Sequence, residues 1–188
     1  TAVSADGPLN IINAVKTAVC AESAGQGVLV VMNDEIYGGR DVTKTNTANV
    51  ATFKAPNGGA LGCIVGGEVR YYYRSVRPHT LAAEFAISNV TALPRVDIIY
   101  AHIGQDRVLV DAACAAGARG LVYAGSGMGS IHGAVEAALA EAVQSGVVVV
   151  RSSRTGSGRV SAGLARWQEQ GFLYADNLNP QKARLLLQ

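Results

Sequence analysis

The stretch "RVDIIYAHIGQDRVLVDAACAAGARGLVYAG", residues 95–125, decides the fold. It opens on a β-branched apolar run, passes through an Ala-rich run of helical period, and closes on a second apolar run. Downstream, "IHGAVEAALAEAVQSG" reads as another helix and "VVVVRSSR" as a third strand. Strand, helix, strand, helix, strand in that order predicts a parallel α/β layer with right-handed crossovers. "NPQKARLLLQ" begins one more helix, with Asn179 as its cap and Pro180 at its first position. That helix is still apolar where the chain stops, so a continuation beyond Gln188 is expected.

Upstream of this layer the pattern weakens between residues 77 and 94, which makes that stretch the expected linker. Residues 1–76 then form a first α/β portion and residues 95–188 a second. In the first portion "SADGPLNIINAVKTAVCAES" carries helix start signals: Ser4 or Asp6 can cap it and Pro8 fits the first turn. Leu9, Ile12, Val15 and Val19 recur at helical spacing. "GVLVVMND" follows as an apolar run, which predicts a strand buried on both faces, as in a parallel sheet. "GALGCIVGGEVRYYYRSV" reads as a hairpin turning at Gly66 and Gly67.

The bulk composition narrows the function classes. Of the 188 residues 49% are hydrophobic and 16% charged, which is a globular balance. The net charge of +2 is scattered, and "RYYYR" is the one local cluster with aromatics. Successive tyrosines in a strand alternate between faces, so they build no stacking platform, and no nucleic-acid partner is expected. No apolar run has the length of a membrane span, so no membrane partner is expected either. Cys20, Cys63 and Cys114 lack metal spacing, and Cys20 and Cys114 fall in Ala-rich helical patterns that suit buried small thiols. His79, His102 and His132 are far apart in sequence and have no i, i+4 partner, so no metal is expected. The first residues, "TAVSADGP", show no signal-peptide pattern.

Two short motifs carry chemistry. "GSGMGS", residues 125–130, joins a strand to a helix, where backbone N–H groups can face an anion. It is not a dinucleotide fingerprint, because Ser130 stands where the third glycine is needed and the next strand ends basic. No cofactor is therefore expected, and by pattern alone the motif is a plain glycine-rich turn. No G-x-S-x-G elbow occurs anywhere in the chain. The other motif is "GGRDVTKTNTANVATFK", residues 38–54, where Lys44 stands between Thr43 and Thr45 with Asp41 upstream. Most lysines are solvated surface charges. A lysine desolvated among hydroxyls at the end of a strand can instead take a proton from a hydroxyl nucleophile.

"SADGPLNIINAV", "GVLVVMND", "GRDVTKTNTANVATFKAPN", "LPRVDIIYAH", "AGSGMGS", "VVVVRSSR" and "LNPQKARLLL" occur in that order. With them the chain resembles the bacterial type II L-asparaginases, the group that includes the glutaminase-asparaginases. The resemblance spans Thr1–Gln188 and is weakest over residues 154–171. It implies three-layer parallel-sheet α/β domains: the end of a larger N-terminal domain with a β-hairpin, then a smaller flavodoxin-like domain. It implies hydrolysis of the side-chain amide of L-asparagine, with or without L-glutamine, through a threonine acyl-enzyme. It implies no cofactor, a homotetramer built as a dimer of intimate dimers, and a periplasmic or secreted location.

Residue by residue, the family's relay lysine falls on Lys44. The position that reaches a neighbouring subunit's substrate falls on Ser130. The family's "TGGT" segment with the nucleophile and its "HGTDT" segment are not among these residues, so this chain alone is expected to be inactive. Many members also carry a glutamate between "RSSR" and "LNPQ". Its expected place is near Ala165 or Arg166, and the nearest acid, Glu169, does not inherit the role. The rival expectation is a non-catalytic module of the same fold that binds an amino acid or serves an amidotransferase as partner.

Overall fold

The computed structural model describes residues 5–88 and 90–188. The chain divides into two compact units, Thr1–Asn89 and Val90–Gln188. Ser4, one of the two expected helix caps, lies outside the described residues.

The first unit holds helix α1 (Gly7–Val19) and strands β1 (Leu29–Met32), β2 (Glu35–Gly38), β3 (Thr43–Lys44), β4 (Phe53–Lys54), β5 (Gly62–Val65) and β6 (Glu68–Tyr71). Its larger sheet has the order β1-β2-β5-β6, and every neighbouring pair is antiparallel. This corrects the expectation for residues 27–34. β1 is half-buried and pairs with β2 alone among the described residues, so it is not a strand covered on both faces in a parallel sheet. The signal for the actual arrangement is Asn33–Asp34. Both residues take positive φ, 51° and 60°, and close a two-residue hairpin. The expected hairpin between β5 and β6 is present, and it turns on Gly66 and Gly67, both at positive φ.

α1 fixes that first turn with its polar side. Asn13 Nδ2 donates to Asp34 Oδ1 at 2.7 Å, and the Asn33 N–H donates to Asn10 Oδ1 at 2.9 Å. Asn10, Asn13 and Thr17 are buried, whereas Leu9, Ile12, Val15 and Val19 are exposed. The helical period read from the sequence is right, but within the described residues its apolar stripe faces outward.

The second unit is a three-layer α/β sandwich. Its elements are β7 (Val96–Tyr100), α2 (Val108–Ala115), β8 (Gly120–Gly125), α3 (Gly133–Gln144), β9 (Val148–Ser153), α4 (Ala165–Glu169), β10 (Leu173–Tyr174) and α5 (Pro180–Leu187). The four strands run parallel in the order β10-β9-β8-β7. Alternation along β8 supplies both cores. Leu121 and Tyr123 pack with Val110, Val135, Leu139 and Val149 under α2 and α3, and Val122 packs with Val96, Val150 and Ala183 under α5. Asn179 caps α5 as its sequence requires, its side-chain oxygen accepting the Lys182 N–H at 2.9 Å.

All three cysteines are free. None is fully buried, which corrects the expectation of buried thiols at Cys20 and Cys114. Cys20 caps the C-terminal end of α1 rather than sitting inside it.

Candidate functional site

In the first unit the residues around Lys44 form a braced loop. Lys44 pairs with Phe53 and Thr43 with Lys54 in the short β3–β4 ribbon. Beneath it Tyr37, Val42 and Ala55 make a small core, with Phe53 packed against them. The connection between the strands is stiffened by its own side chains. Thr45 Oγ1 donates to the Thr52 carbonyl at 2.8 Å, and the Asn46 N–H donates to Thr52 Oγ1 at 2.8 Å. Asn46 Oδ1 accepts the N–H groups of Ala48 and Asn49, and Asn49 Oδ1 accepts that of Ala51. These Asx turns let a polar, exposed loop hold one shape without a core of its own.

The ribbon therefore presents Lys44 from a fixed backbone. Its ammonium is exposed and has no hydrogen-bond or ion-pair partner among the described residues. Of the three groups that the sequence sets beside it, Thr43, Thr45 and Asp41, two are committed elsewhere. The Thr45 hydroxyl is spent on Thr52, and Asp41 pairs with Arg40 at 2.8 Å. Asp41 also faces a separate cavity of about 350 Å³ with Arg77 and His79. A lysine desolvated among hydroxyls is thus not what this chain builds by itself.

Sequence reading passed over a polar triad next door. Glu35 accepts from Lys54 Nζ at 2.8 Å and from the Tyr37 hydroxyl. The Lys54 bond, with the Tyr37 bond behind it, holds the Glu35 carboxyl below the usual carboxylate range. Tyr37 is buried and is pushed up to about 12, first by burial and then by the neighbouring carboxylate. The signal was available in "EIY", where residues two apart on a strand share a face.

In the second unit "GSGMGS" leaves β8 as a tight loop. The Ser130 N–H donates to the Ser126 carbonyl at 2.9 Å, and the two residues bridge. Gly125 has no room for a side chain, because an added Cβ would stand 2.4 Å from the Ser130 carbonyl oxygen. Ser130 itself is exposed.

Arg151 holds this loop from within. It is 1% exposed, with Nε donating to the Gly129 carbonyl and Nη2 to the Met128 carbonyl, both at 3.1 Å. Nη1 reaches the carbonyls of Ser161 and Ala162 at 3.1 and 2.9 Å. One buried guanidinium thus ties the glycine-rich loop to the segment before α4. Sequence reading noted "RSSR" as a string and missed this role.

Where the family's glutamate would fall, Ala165 and Arg166 open α4. Arg166 forms a bidentate pair with Glu136 on α3, at 2.8 and 3.2 Å, and that bond lowers the Glu136 pKa. Glu169 ends the same short helix and is exposed. Lys44 belongs to the first unit and Ser130 to the second, so each is placed only within its own unit. His79 lies in the first unit, while His102 and His132 line one cavity of the second. No cluster of metal-ligating side chains occurs among the described residues, and no helix among them is long and apolar enough to cross a membrane.

Known proteins share this arrangement. Residues 1–77 match the family "Asparaginase, N-terminal", and residues 95–188 match the "Glutaminase/Asparaginase C-terminal domain". L-asparaginase 2 of Bacillus subtilis is 48% identical over 187 residues, and L-asparaginase 2 of Escherichia coli is 46% identical over 189. Each comparison covers the whole of this chain, but only 49% and 54% of those relatives. The glutaminase-asparaginase of Pseudomonas fluorescens is 40% identical over 99% of the chain and 52% of its own length. The crystal structure of a probable cytoplasmic L-asparaginase from Campylobacter jejuni superposes with a TM-score of 0.95 at 43% identity, covering 99% of this chain and 61% of that one. The chain spans about half the length of the relatives it matches. With family domains matched across residues 1–77 and 95–188, the chain belongs to the asparaginase family.

Proposed function

We propose that the protein containing this chain is an amidohydrolase that converts L-asparagine, with or without L-glutamine, to aspartate or glutamate and ammonia. The observation that carries the reading is Lys44, an unpartnered ammonium held out by a braced ribbon at the position of the family's relay lysine. In the reaction a threonine hydroxyl supplied by family segments outside these residues attacks the amide carbon. The hydroxyl proton is held or moved by way of Lys44 as the C–O bond forms. That proton leaves with the amide nitrogen as ammonia, and water then cleaves the acyl ester. Contact with the other half of the site would also desolvate Lys44, which this chain leaves exposed.

Ser130 is read as the residue that meets a neighbouring subunit's substrate, its exposed hydroxyl being suited to hydrogen-bond a charged amino or carboxylate group. That role needs a neighbouring subunit, and the homotetramer, a dimer of intimate dimers, is carried over from the resemblance. We take residues 1–76 as the remainder of the N-terminal domain, 77–94 as linker and 95–188 as the C-terminal domain. Periplasmic or secreted placement follows the type II resemblance, in company with a relative named "Probable L-asparaginase periplasmic" from Haemophilus influenzae. The Campylobacter protein, named as cytoplasmic, is the counterexample.

The test joins a family N-terminal portion to these residues and measures ammonia release from L-asparagine. Lys44→Met is expected to lower kcat by about 10²–10⁴-fold. A near-normal rate would return Lys44 to the status of a surface lysine. The 188-residue chain alone is expected to release no ammonia. Release by the purified chain would overturn the assignment of the nucleophile to another segment.

A further inference from the structure

The β3–β4 ribbon that carries Lys44 is a two-stranded sheet of its own, and among the described residues no ladder joins it to the larger sheet of the unit. A strand pair this short is marginal by itself, so contacts outside it must fix where it sits. β2 supplies them. Lys54 of β4 reaches back to β2, where its Nζ donates to Glu35 Oε2 at 2.8 Å. Tyr37, two residues further along β2, donates its hydroxyl to the same carboxylate oxygen. The Tyr37 ring packs with Val42 and Ala55, which flank the ribbon, and Phe53 packs against this core.

Strand register carries these contacts to Lys44. Lys54 pairs with Thr43, the residue before Lys44, and Phe53 pairs with Lys44 itself. We propose that Glu35, Tyr37 and Lys54 form a brace that fixes the ribbon on β2 and so places the Lys44 ammonium for proton transfer, an inference that rests on the amidohydrolase reading. All three are positioning residues, acting through Lys44 and not on the substrate.

The chemistry sets this cluster apart from an ordinary surface ion pair. The side chains of Glu35 and Lys54 are 35% and 42% exposed, and a two-partner pair of that kind holds little. Here the carboxylate has a second donor in Tyr37, which is 1% exposed and loses its acceptor if Glu35 withdraws. The Lys54 bond, with the Tyr37 bond behind it, holds the Glu35 carboxyl below the usual carboxylate range, so the brace stays charged at neutral pH. The bonds of Asn46, Asn49 and Thr52 set the shape of the connecting loop, and the brace sets its place.

The test measures turnover of L-asparagine by these residues joined to a family N-terminal portion, at a temperature below the melt of every variant. Glu35→Ala is expected to lower kcat about tenfold with KM changed less than about twofold, because Lys44 works in the transition state and not in substrate binding. Lys54→Met should lower kcat in the same sense. Lys54→Arg keeps a charged donor on the carboxylate and should recover most of the rate. In a Lys44→Met background Glu35→Ala should cost nothing further, since a group that acts through Lys44 has nothing left to position. A merely structural contact would lower the melting temperature and leave these ratios alone. If Glu35→Ala does not fold, Lys54→Met and its double variant with Lys44→Met carry the same test. Parent-like kcat in Glu35→Ala and Lys54→Met beside a slow Lys44→Met would overturn the brace and leave the amidohydrolase reading standing. A near-normal Lys44→Met would overturn both. Losses that multiply in the double variant, a change in KM alone, or a Lys54→Arg as slow as Lys54→Met would each overturn the brace.

Discussion

The guanidinium of Arg151 lies 3.9 Å from the ring centroid of Trp167, and no carboxylate among the described residues balances its charge. Its donors end on four backbone carbonyls, two in the glycine-rich loop and two ahead of α4. Burial accordingly draws its pKa below the usual arginine value. Replacing it strands buried carbonyls and opens a gap against Trp167. Arg151→Met is expected to destabilise the second unit by about 2–4 kcal/mol. Arg151→Lys should recover little, because a point charge cannot span carbonyls on both sides of a planar fork. Urea melts of the three proteins check this. A lysine variant as stable as the parent would mean that charge alone, and not the fork, holds the loops.

Tyr37 predicts an alkaline limit for the first unit. Its folded pKa is raised from 10.0 to about 12 by burial, then by the Glu35 carboxylate. The unfolded chain therefore loses this proton first as pH rises. The stabilisation is complete below about pH 10 and is lost through about pH 12, amounting to about 2–3 kcal/mol. Lys54, raised by its bond to Glu35, acts in the same direction. Tyr71 and Tyr123 are also raised by burial, so the comparison must be with Tyr37→Phe rather than with theory. The variant's melting curve should be flatter with pH between 10 and 12. Parallel curves would show that Tyr37 does not carry the effect.

Ser130 predicts a binding effect without a folding effect. Its backbone makes the bridge to Ser126, whereas its exposed hydroxyl has no partner among the described residues. Ser130→Ala should leave the melting temperature of the chain unchanged. In an assembled enzyme of the kind proposed above, losing a hydrogen bond to a charged substrate group should raise KM about tenfold or more, with a smaller change in kcat. A variant with unaltered KM would remove Ser130 from the substrate site.

The second unit was legible because its sheet is buried on both faces. β7, β8 and β9 then show as apolar runs with helical runs between them, whereas the two-residue, exposed β10 left no run to read. The first unit was harder for a physical reason. β3 and β4 are two residues long, too short for any period to show, and the β3–β4 loop is fixed by side-chain bonds of Asn46, Asn49 and Thr52 rather than by apolar contacts. α1 gave its period but not its inner face, since Asn10 and Asn13 turn inward to hold Asn33 and Asp34. Lys44 stood out by its polar neighbours, yet only the family resemblance gave it a role. Arg151 left no mark in pattern or charge, because its partners are main-chain carbonyls contributed by distant loops.

Two glycines that flank the same loop should respond in opposite senses. At Gly125 an added Cβ would meet the Ser130 carbonyl oxygen at 2.4 Å and the Gly129 carbonyl carbon at 2.6 Å, both backbone atoms that cannot swing aside. Gly125→Ala must therefore push the loop off β8, at an expected cost of about 2 kcal/mol or more. Gly133 begins α3, where an added Cβ would meet nothing within 4 Å and the backbone φ is not positive. There alanine removes backbone freedom from the unfolded chain at no steric cost, so Gly133→Ala should gain about 0.4–1 kcal/mol. Thermal melts of both variants beside the parent decide the matter. A harmless Gly125→Ala would mean that the loop has room to move, and the tight Ser126–Ser130 bridge would then not be what fixes Ser130 in place.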